Sequence, residues 1–292
     1  IINSKIKAIY NQKALILFAL PLLFSDFMVD IAKWVDTWLI GIFRTTSEIG
    51  LYNVALPTAN LLVLVPTALM AIFIPIVTEL YAKGKMKEIE KISKLVSKWI
   101  FFLNIPIIAF FVIFSKEVLG VVFGKEYIQA YAVIIILSIG HIFYSLYHIP
   151  ANILQMIKKT KLILLIFTIS FIINIILNIL LIPKYGIIGA AIGTTSYFVS
   201  LYMLVSIWIY KIKKMQIIRL IYLKSIMAIF ITGIIIIWIK NNILEPTSII
   251  RLLILSFILF LIYSIIVIIL KCLEDEDKKI INNIQRKFFN IK

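Results

Sequence analysis

The sequence predicts an all-α, polytopic membrane bundle of eight transmembrane helices. Three observations carry that prediction. The chain of 292 residues is 62% hydrophobic, with a mean hydropathy of +1.07, whereas soluble domains are about 45–50% apolar. Its apolar runs are long enough to cross a core of roughly 30 Å. Its basic residues sit in short links between those runs, as the positive-inside rule describes. The formal charge of +16 therefore reads as topology and not as nucleic-acid binding. The single cysteine, Cys272, excludes an intrachain disulfide and reads as a plain free thiol.

Residues 1–13 carry Lys5, Lys7 and Lys13 and read as a cytoplasmic lead-in. Span one, 14–43, holds Asp26, Asp30, Lys33 and Asp36 in an otherwise apolar run. At 100° per residue, Asp30 lies about 40° to one side of Asp26, and Lys33 and Asp36 about 20° and 80° to the other. Intramembrane charges cost on the order of 2.5–3.5 kcal/mol each by insertion scales, and they face bundle interiors or wet cavities. The stripe is expected to wall a polar cavity. Lys33 can meet an anion as a point charge, and Asp26 and Asp30 can bind a proton or sodium ion. The same spacing also lets Lys33 neutralise Asp30 and Asp36 within the helix. Both readings stand at this point.

Span two, about 51–82, holds Pro57, Pro66 and Pro75, and a second polar stripe of Asn53, Asn60 and Thr67 at seven-residue steps. Residues 83–98 are basic and amphipathic, as in a helix lying in the membrane interface. Span three is expected at 99–114, an outer connection at 115–127, and span four at 128–155. Span four carries both histidines. His141, Ser145, His148 and Asn152 share a face, suited to cavity lining or interhelical hydrogen bonding. With no carboxylate close in sequence, no metal site is expected. Span five, 162–182, has Ser170, Asn174 and Asn178 at four-residue steps, read as glue between helices. After the link Pro183-Lys184-Tyr185-Gly186, span six runs over 187–210. Its Gly189 and Gly193 form a small-xxx-small face. A basic loop leads to two almost wholly aliphatic spans, 225–239 and 249–270, read as peripheral. The tail, 272–292, starts acidic and ends basic, with Ile280, Ile281, Ile284, Phe288 and Ile291 on one face of a surface helix.

Loops assigned alternately give 23 of the 30 lysines and arginines to one side and six to the other, with Lys33 inside the membrane. That asymmetry places both termini in the cytoplasm of a multi-pass cell-membrane protein. The domain reading is a lead-in (1–13), a six-helix bundle (14–210), two additional spans (211–271) and a cytoplasmic amphipathic tail (272–292).

Four patterns occur in order along the chain. Asp36-Thr37-Trp38-Leu39-Ile40-Gly41 runs into Glu48-Ile49-Gly50-Leu51-Tyr52-Asn53-Val54-Ala55. Pro75 is followed by Glu79-Leu80-Tyr81-Ala82-Lys83-Gly84. Phe123-Gly124-Lys125-Glu126-Tyr127 precedes span four. Ile182-Pro183-Lys184-Tyr185-Gly186-Ile187-Ile188-Gly189-Ala190-Ala191-Ile192-Gly193-Thr194 opens span six. Together they resemble the polysaccharide transporter branch of the multidrug/oligosaccharidyl-lipid/polysaccharide (MOP) flippase superfamily. The resemblance implies two six-helix bundles plus two helices, of which this chain is similar to the second bundle and the added pair. It also implies flipping of a lipid-linked oligosaccharide or polysaccharide precursor by alternating access. The partners implied are membrane lipid, the lipid-linked glycan, and a first bundle or a homologous chain.

Other readings are a cation-coupled multidrug exporter of the same superfamily, an inactive remnant, and a membrane glycosyltransferase. The two added spans favour the flippase over the exporter. The glycosyltransferase would need a sizeable catalytic loop, and no catalytic motif is present, so no enzymatic role and no cofactor beyond the coupling ion is expected.

Overall fold

The computed structural model describes residues 12–216, 221–272 and 277, with the side chains of Ala14, Lys33 and Ile221 outside that description. The lead-in 1–11 and nearly all of the expected tail helix also lie outside it. The described residues form α-helices joined by short links, with no strand among them. Eight stretches are long and apolar enough to cross a membrane, so the chain is a multi-pass membrane protein.

Span one is α1 (Gln12–Phe43). Thr45 opens the next helix as a capping residue: its hydroxyl accepts from the Glu48 amide at 3.4 Å, and Glu48 pairs with Arg44 at 3.4 Å. Span two begins earlier than expected and is not one helix. It comprises α2 (Thr46–Asn60), a 3-10 turn (Leu61–Val63) and α3 (Leu64–Ala82). Pro66 supplies a reason, because its missing N–H frees a carbonyl one turn back and its ring crowds that turn. A 3-10 stretch inside a long helix commonly marks a hinge.

The interfacial helix expected at 83–98 is corrected. Its residues from Met86 onward are the first turns of one long helix, α4 (Met86–Val122), which runs straight into span three. No proline or glycine interrupts the sequence from Met86 to Ile105, so nothing stops the helix at Lys98. Ile89, Ser93, Ser97 and Lys98 are buried, so this face packs on protein. Lys98 is ion-paired with Asp277, which also accepts from the Trp99 indole at 3.0 Å. The one described residue of the acidic run in the tail is thus anchored on α4.

The expected outer connection at 115–127 is also mostly helical. α4 kinks at Phe114 (φ −117°, ψ 15°) and continues to Val122. The kink is held from outside by Lys240. Its ammonium donates to the Ile113 carbonyl at 3.1 Å, pairs with Glu117 and lies 5.3 Å above the Phe114 ring. A cation there meets the carbonyl end of the first half of α4. Lys240→Met is expected to lower stability by about 1 kcal/mol, since the pair is only partly buried. A thermal-unfolding midpoint equal to the wild type's would show that the kink holds without it.

The chain turns at Gly124 (φ +119°) into a 3-10 segment (Lys125–Ala130) and α5 (Tyr131–Met156). α6 (Thr160–Tyr185) and α7 (Ile187–Lys213) join through Gly186 alone, at φ +57°. α8 (Ile221–Asn242) and α9 (Ile249–Ile269) pack on each other and on α4, in keeping with a peripheral place. Cys272 is buried beyond α9, where burial pushes its thiol up against the opposing pull of Lys224 and Lys98, which keeps it unreactive.

The apolar core falls into two clusters. One gathers Met70, Phe73, Ile105, Ile149, Phe167 and Leu201. The other gathers Ile40, Leu62, Ile108, Leu137, Ile182 and Ala191. Along α5 to α7 each helix leaves one cluster and enters the other through a stretch whose buried residues include polar ones, and Asn104 of α4 joins them through Ser145. Buried Asn104, Ser138, His141, Ser145, Ser170, Asn174, Asn178 and Thr194 form a polar layer in mid-bundle. Asp36 enters that layer from α1.

Candidate functional site

Asp36 is 1% exposed. Four neutral groups from three other helices converge on its carboxylate. Tyr52 on α2 donates its hydroxyl to Oδ2 at 2.8 Å, and Thr194 on α7 donates to the same oxygen. Asn178 and Asn174 on α6 donate to Oδ1 at 2.6 and 3.4 Å. The partners also touch one another: Tyr52 and Thr194 are 3.3 Å apart, and the Asn178 amide reaches Asn174 Oδ1 at 3.3 Å. Burying a carboxylate costs far more than these contacts return unless each donor is well placed. The site therefore binds spans one, two, five and six together at a single atom pair.

A cavity of about 180 Å³ opens beside the carboxylate. Its polar walls are Asp36, Asn60, Tyr144, Asn174, Thr194 and Tyr197. Two buried polar atoms at this layer, Asn178 Oδ1 and Tyr197 Oη, have no hydrogen-bond partner among the described residues. A buried carboxylate set among hydroxyls and side-chain amides can take up a proton or, with the amides turned oxygen-inward, a hard monovalent cation. A second hollow, of about 270 Å³, is apolar almost throughout. Leu61 at the span-two break, Phe111 and Val118 around the α4 kink, and Leu252 on α9 help to line it.

The residues expected at a site separate into three groups. Of the described members of the span-one stripe, only Asp36 lines the cavity. Asp26 and Asp30 are exposed on this chain, at the edge of an α1 face that also shows Leu23, Phe27 and Trp34. Both carboxylates lie within electrostatic reach of Tyr144. In the second stripe, Asn60 reaches the cavity, whereas Asn53 is exposed and accepts from Thr37 at 3.5 Å. The face of span four divides as well. His141 is fully buried, with Nδ1 2.7 Å from the Leu137 carbonyl and Nε2 2.9 Å from Asn60 Oδ1. Ser145 accepts from Asn104 at 2.9 Å. His148 packs against Tyr144 and Tyr147, and its Nε2 has no partner among the described residues. No group of three or more His, Cys, Asp or Glu suited to a metal occurs among the described residues.

Tyr52 and Thr194 were not expected at the site, although both stand inside the patterns that carry the family resemblance. Asn174 and Asn178 were expected to join helices. They do so by joining α6 to the carboxylate of α1.

Residues 21–180 match the family model described as MatE, which is more than half of the chain. The chain belongs to the MatE family. The relatives of this MatE chain bear out the resemblance to the MOP superfamily. It is 33% identical over 166 residues to a protein of Haloferax volcanii named "Probable low-salt glycan biosynthesis flippase Agl15", covering 57% of this chain and 35% of that one. It is 32% identical over 168 residues to "Probable flippase AglR" of the same organism, covering 56% and 34%. The chain thus spans about a third of the length of these curated relatives. Among solved structures, "Lipid II flippase MurJ, inward closed conformation" aligns with a TM-score of 0.64 at 19% identity, over 84% of this chain and 51% of that one. That likeness concerns the fold, and the MatE chain matches about half of it.

Proposed function

We propose that this chain is one bundle, with two added helices, of a flippase that carries a lipid-linked oligosaccharide or polysaccharide precursor across the cell membrane by alternating access. The observation that carries the reading is the buried Asp36 carboxylate, which among the described residues is held by neutral donors from spans two, five and six. A coupling cation, sodium or a proton, is bound there by the carboxylate with the oxygens of Thr194, Asn174 and Asn178. Asn178 gives its amide N–H to Asp36 while its orphaned Oδ1 lies on the Gly193 side, and a half-turn of that amide would bring the oxygen to the carboxylate for a cation to bridge. When bound, the cation supplies positive charge to the polar layer. The residues themselves do the rest: Asp36 keeps α1 docked on α6 and α7, and Tyr52 keeps α2 docked on α1.

Asp26, Asp30 and Asn53 are exposed on a side that the described helices leave open. We assign them to the wall of the glycan path, closed by a first bundle or a homologous chain. The apolar hollow by α9 suits the lipid chain of the substrate, which stays in hydrocarbon while the headgroup crosses. No chemical step is assigned to the protein. The charge asymmetry of the loops supports cytoplasmic termini.

The test is reconstitution into vesicles carrying a fluorescent lipid-pyrophosphate oligosaccharide, with the chain alone and with a separately expressed first bundle. Transfer between leaflets is read by accessibility to an impermeant glycosidase. Faster transfer that responds to a sodium or pH gradient is expected. A rate equal to that of empty vesicles in both preparations would sink the flippase reading.

A further inference from the structure

His141 does not touch Asp36, yet its geometry bears on the cavity. Its Nδ1 faces the Leu137 carbonyl at 2.7 Å, an atom that only accepts, so Nδ1 carries a proton. Its Nε2 lies 2.9 Å from the Asn60 side-chain amide, with Oδ1 on the ring side. A neutral ring protonated at Nδ1 has only a lone pair at Nε2, and two acceptors cannot bond. One resolution is an imidazolium. It would place a full charge at a site with no exposure, 5.0 Å from the Phe198 ring, with a backbone carbonyl and an amide as its only hydrogen-bonding partners among the described residues. The other is a half-turn of the Asn60 amide, which gives Nδ2–H to Nε2 and moves no other atom. The second is far cheaper, and it turns Asn60 Oδ1 toward the cavity that Asn60 shares with Asp36.

We infer that His141 is a positioning residue that holds the Asn60 amide with its carbonyl oxygen aimed into the Asp36 cavity, adding a fifth residue, from span two, to the cation's surroundings. This inference rests on the cation reading of Asp36. Its mechanical interest lies in where Asn60 stands: it is the last residue of α2, immediately before the 3-10 break at Leu61–Val63. A cation that draws on Asn60 Oδ1 therefore pulls on the hinge of span two, while His141 fixes the same side chain to span four.

The first experiment needs no change at His141. The chain has two histidines, so His148→Asn leaves one imidazole. Nitrogen NMR of the ring-labelled protein in nanodiscs at neutral pH should show one protonated nitrogen and one bare, hydrogen-bond-accepting nitrogen. Two protonated nitrogens would overturn the inference. The second is sodium affinity, titrated with sodium chloride against a potassium background. His141→Gln keeps an acceptor for Asn60 and should bind within about twofold of wild type. His141→Leu frees the amide and should bind several-fold more weakly. His141→Arg places only donors beside Asn60, draws Oδ1 back to residue 141 and away from the cavity, and should bind weakest. Equal affinity in the Leu and wild-type proteins would remove His141 while leaving the Asp36 site standing. Absence of sodium binding in the wild type would remove the cation site itself, and this inference with it.

Discussion

Asp36→Asn in the complete transporter is expected to leave a folded protein that exports no glycan above background. The argument is one of charge and shape. Asparagine fills the same space and keeps one acceptor for Tyr52, Thr194 or the Asn178 amide, which hold the carboxylate at close range. It removes the negative charge and turns one oxygen into a donor that meets other donors. A monovalent cation then has no anionic ligand in the layer. Asp36→Leu should behave differently, because it leaves four donors without their acceptor. Each orphaned buried donor costs roughly 1–3 kcal/mol. Two losses are softened, since Tyr52 and Thr194 can bond each other, and Asn178 can bond Asn174, both across 3.3 Å. The expected destabilisation is thus about 2–4 kcal/mol. Surface glycan, measured by lectin binding, and the midpoint of thermal unfolding separate the two variants. Wild-type export by Asp36→Asn would dismiss Asp36 as the coupling group. A Leu variant as stable as wild type would mean that the donor ring does not hold these helices together.

The eight spans were legible because a bilayer imposes length and apolarity directly on sequence. The ends of the helices were less so. Nothing marks Lys98 as a boundary once α4 continues through it, and the kink at Phe114 arises with a lysine on a distant helix, Lys240. The site was half legible. Hydropathy exposes any charge in an apolar run, so Asp26, Asp30, Lys33 and Asp36 all stood out. It does not say which side of a roughly 120° arc is buried. Packing decides that: α6 and α7 cover the Asp36 edge of α1 and leave Asp26 and Asp30 exposed. Tyr52 and Thr194 were invisible as ligands because a tyrosine and a threonine are ordinary in a membrane helix. Only the meeting of helices far apart in sequence gives them an acceptor. Asn174 and Asn178 announced a polar edge of span five, and their spacing of one turn is what lets both reach Oδ1.

Gly189→Ala and Gly193→Ala are expected to separate stability from function, though they stand one turn apart on α7. Lipid offers no hydrophobic drive for helices to associate, so close backbone approach is what holds α6 against α7. A Cβ on Gly189 would come 2.5 Å from the carbonyl carbon and oxygen of Leu181 and 2.7 Å from the Ile182 nitrogen. These are backbone atoms that cannot rotate away, so the helices must part. The cost is about 1–3 kcal/mol or more, in line with other overpacked interfaces, and α7 shifts as a unit with Thr194. A Cβ on Gly193 instead meets the Asn178 side chain, its Oδ1 first and its Cγ at 2.9 Å. A side chain can yield where backbone cannot, so stability falls less. The group that yields is the one bonded to Asp36 at 2.6 Å. Gly193→Ala should therefore weaken cation affinity by about tenfold, the loss of one charge-assisted hydrogen bond, at a thermal midpoint close to that of the wild type. Gly189→Ala should lower the midpoint by several degrees before affinity is considered. Equal stability losses in the two variants would mean that Asn178 cannot move, and that the ring around Asp36 is as rigid as the backbone beside it.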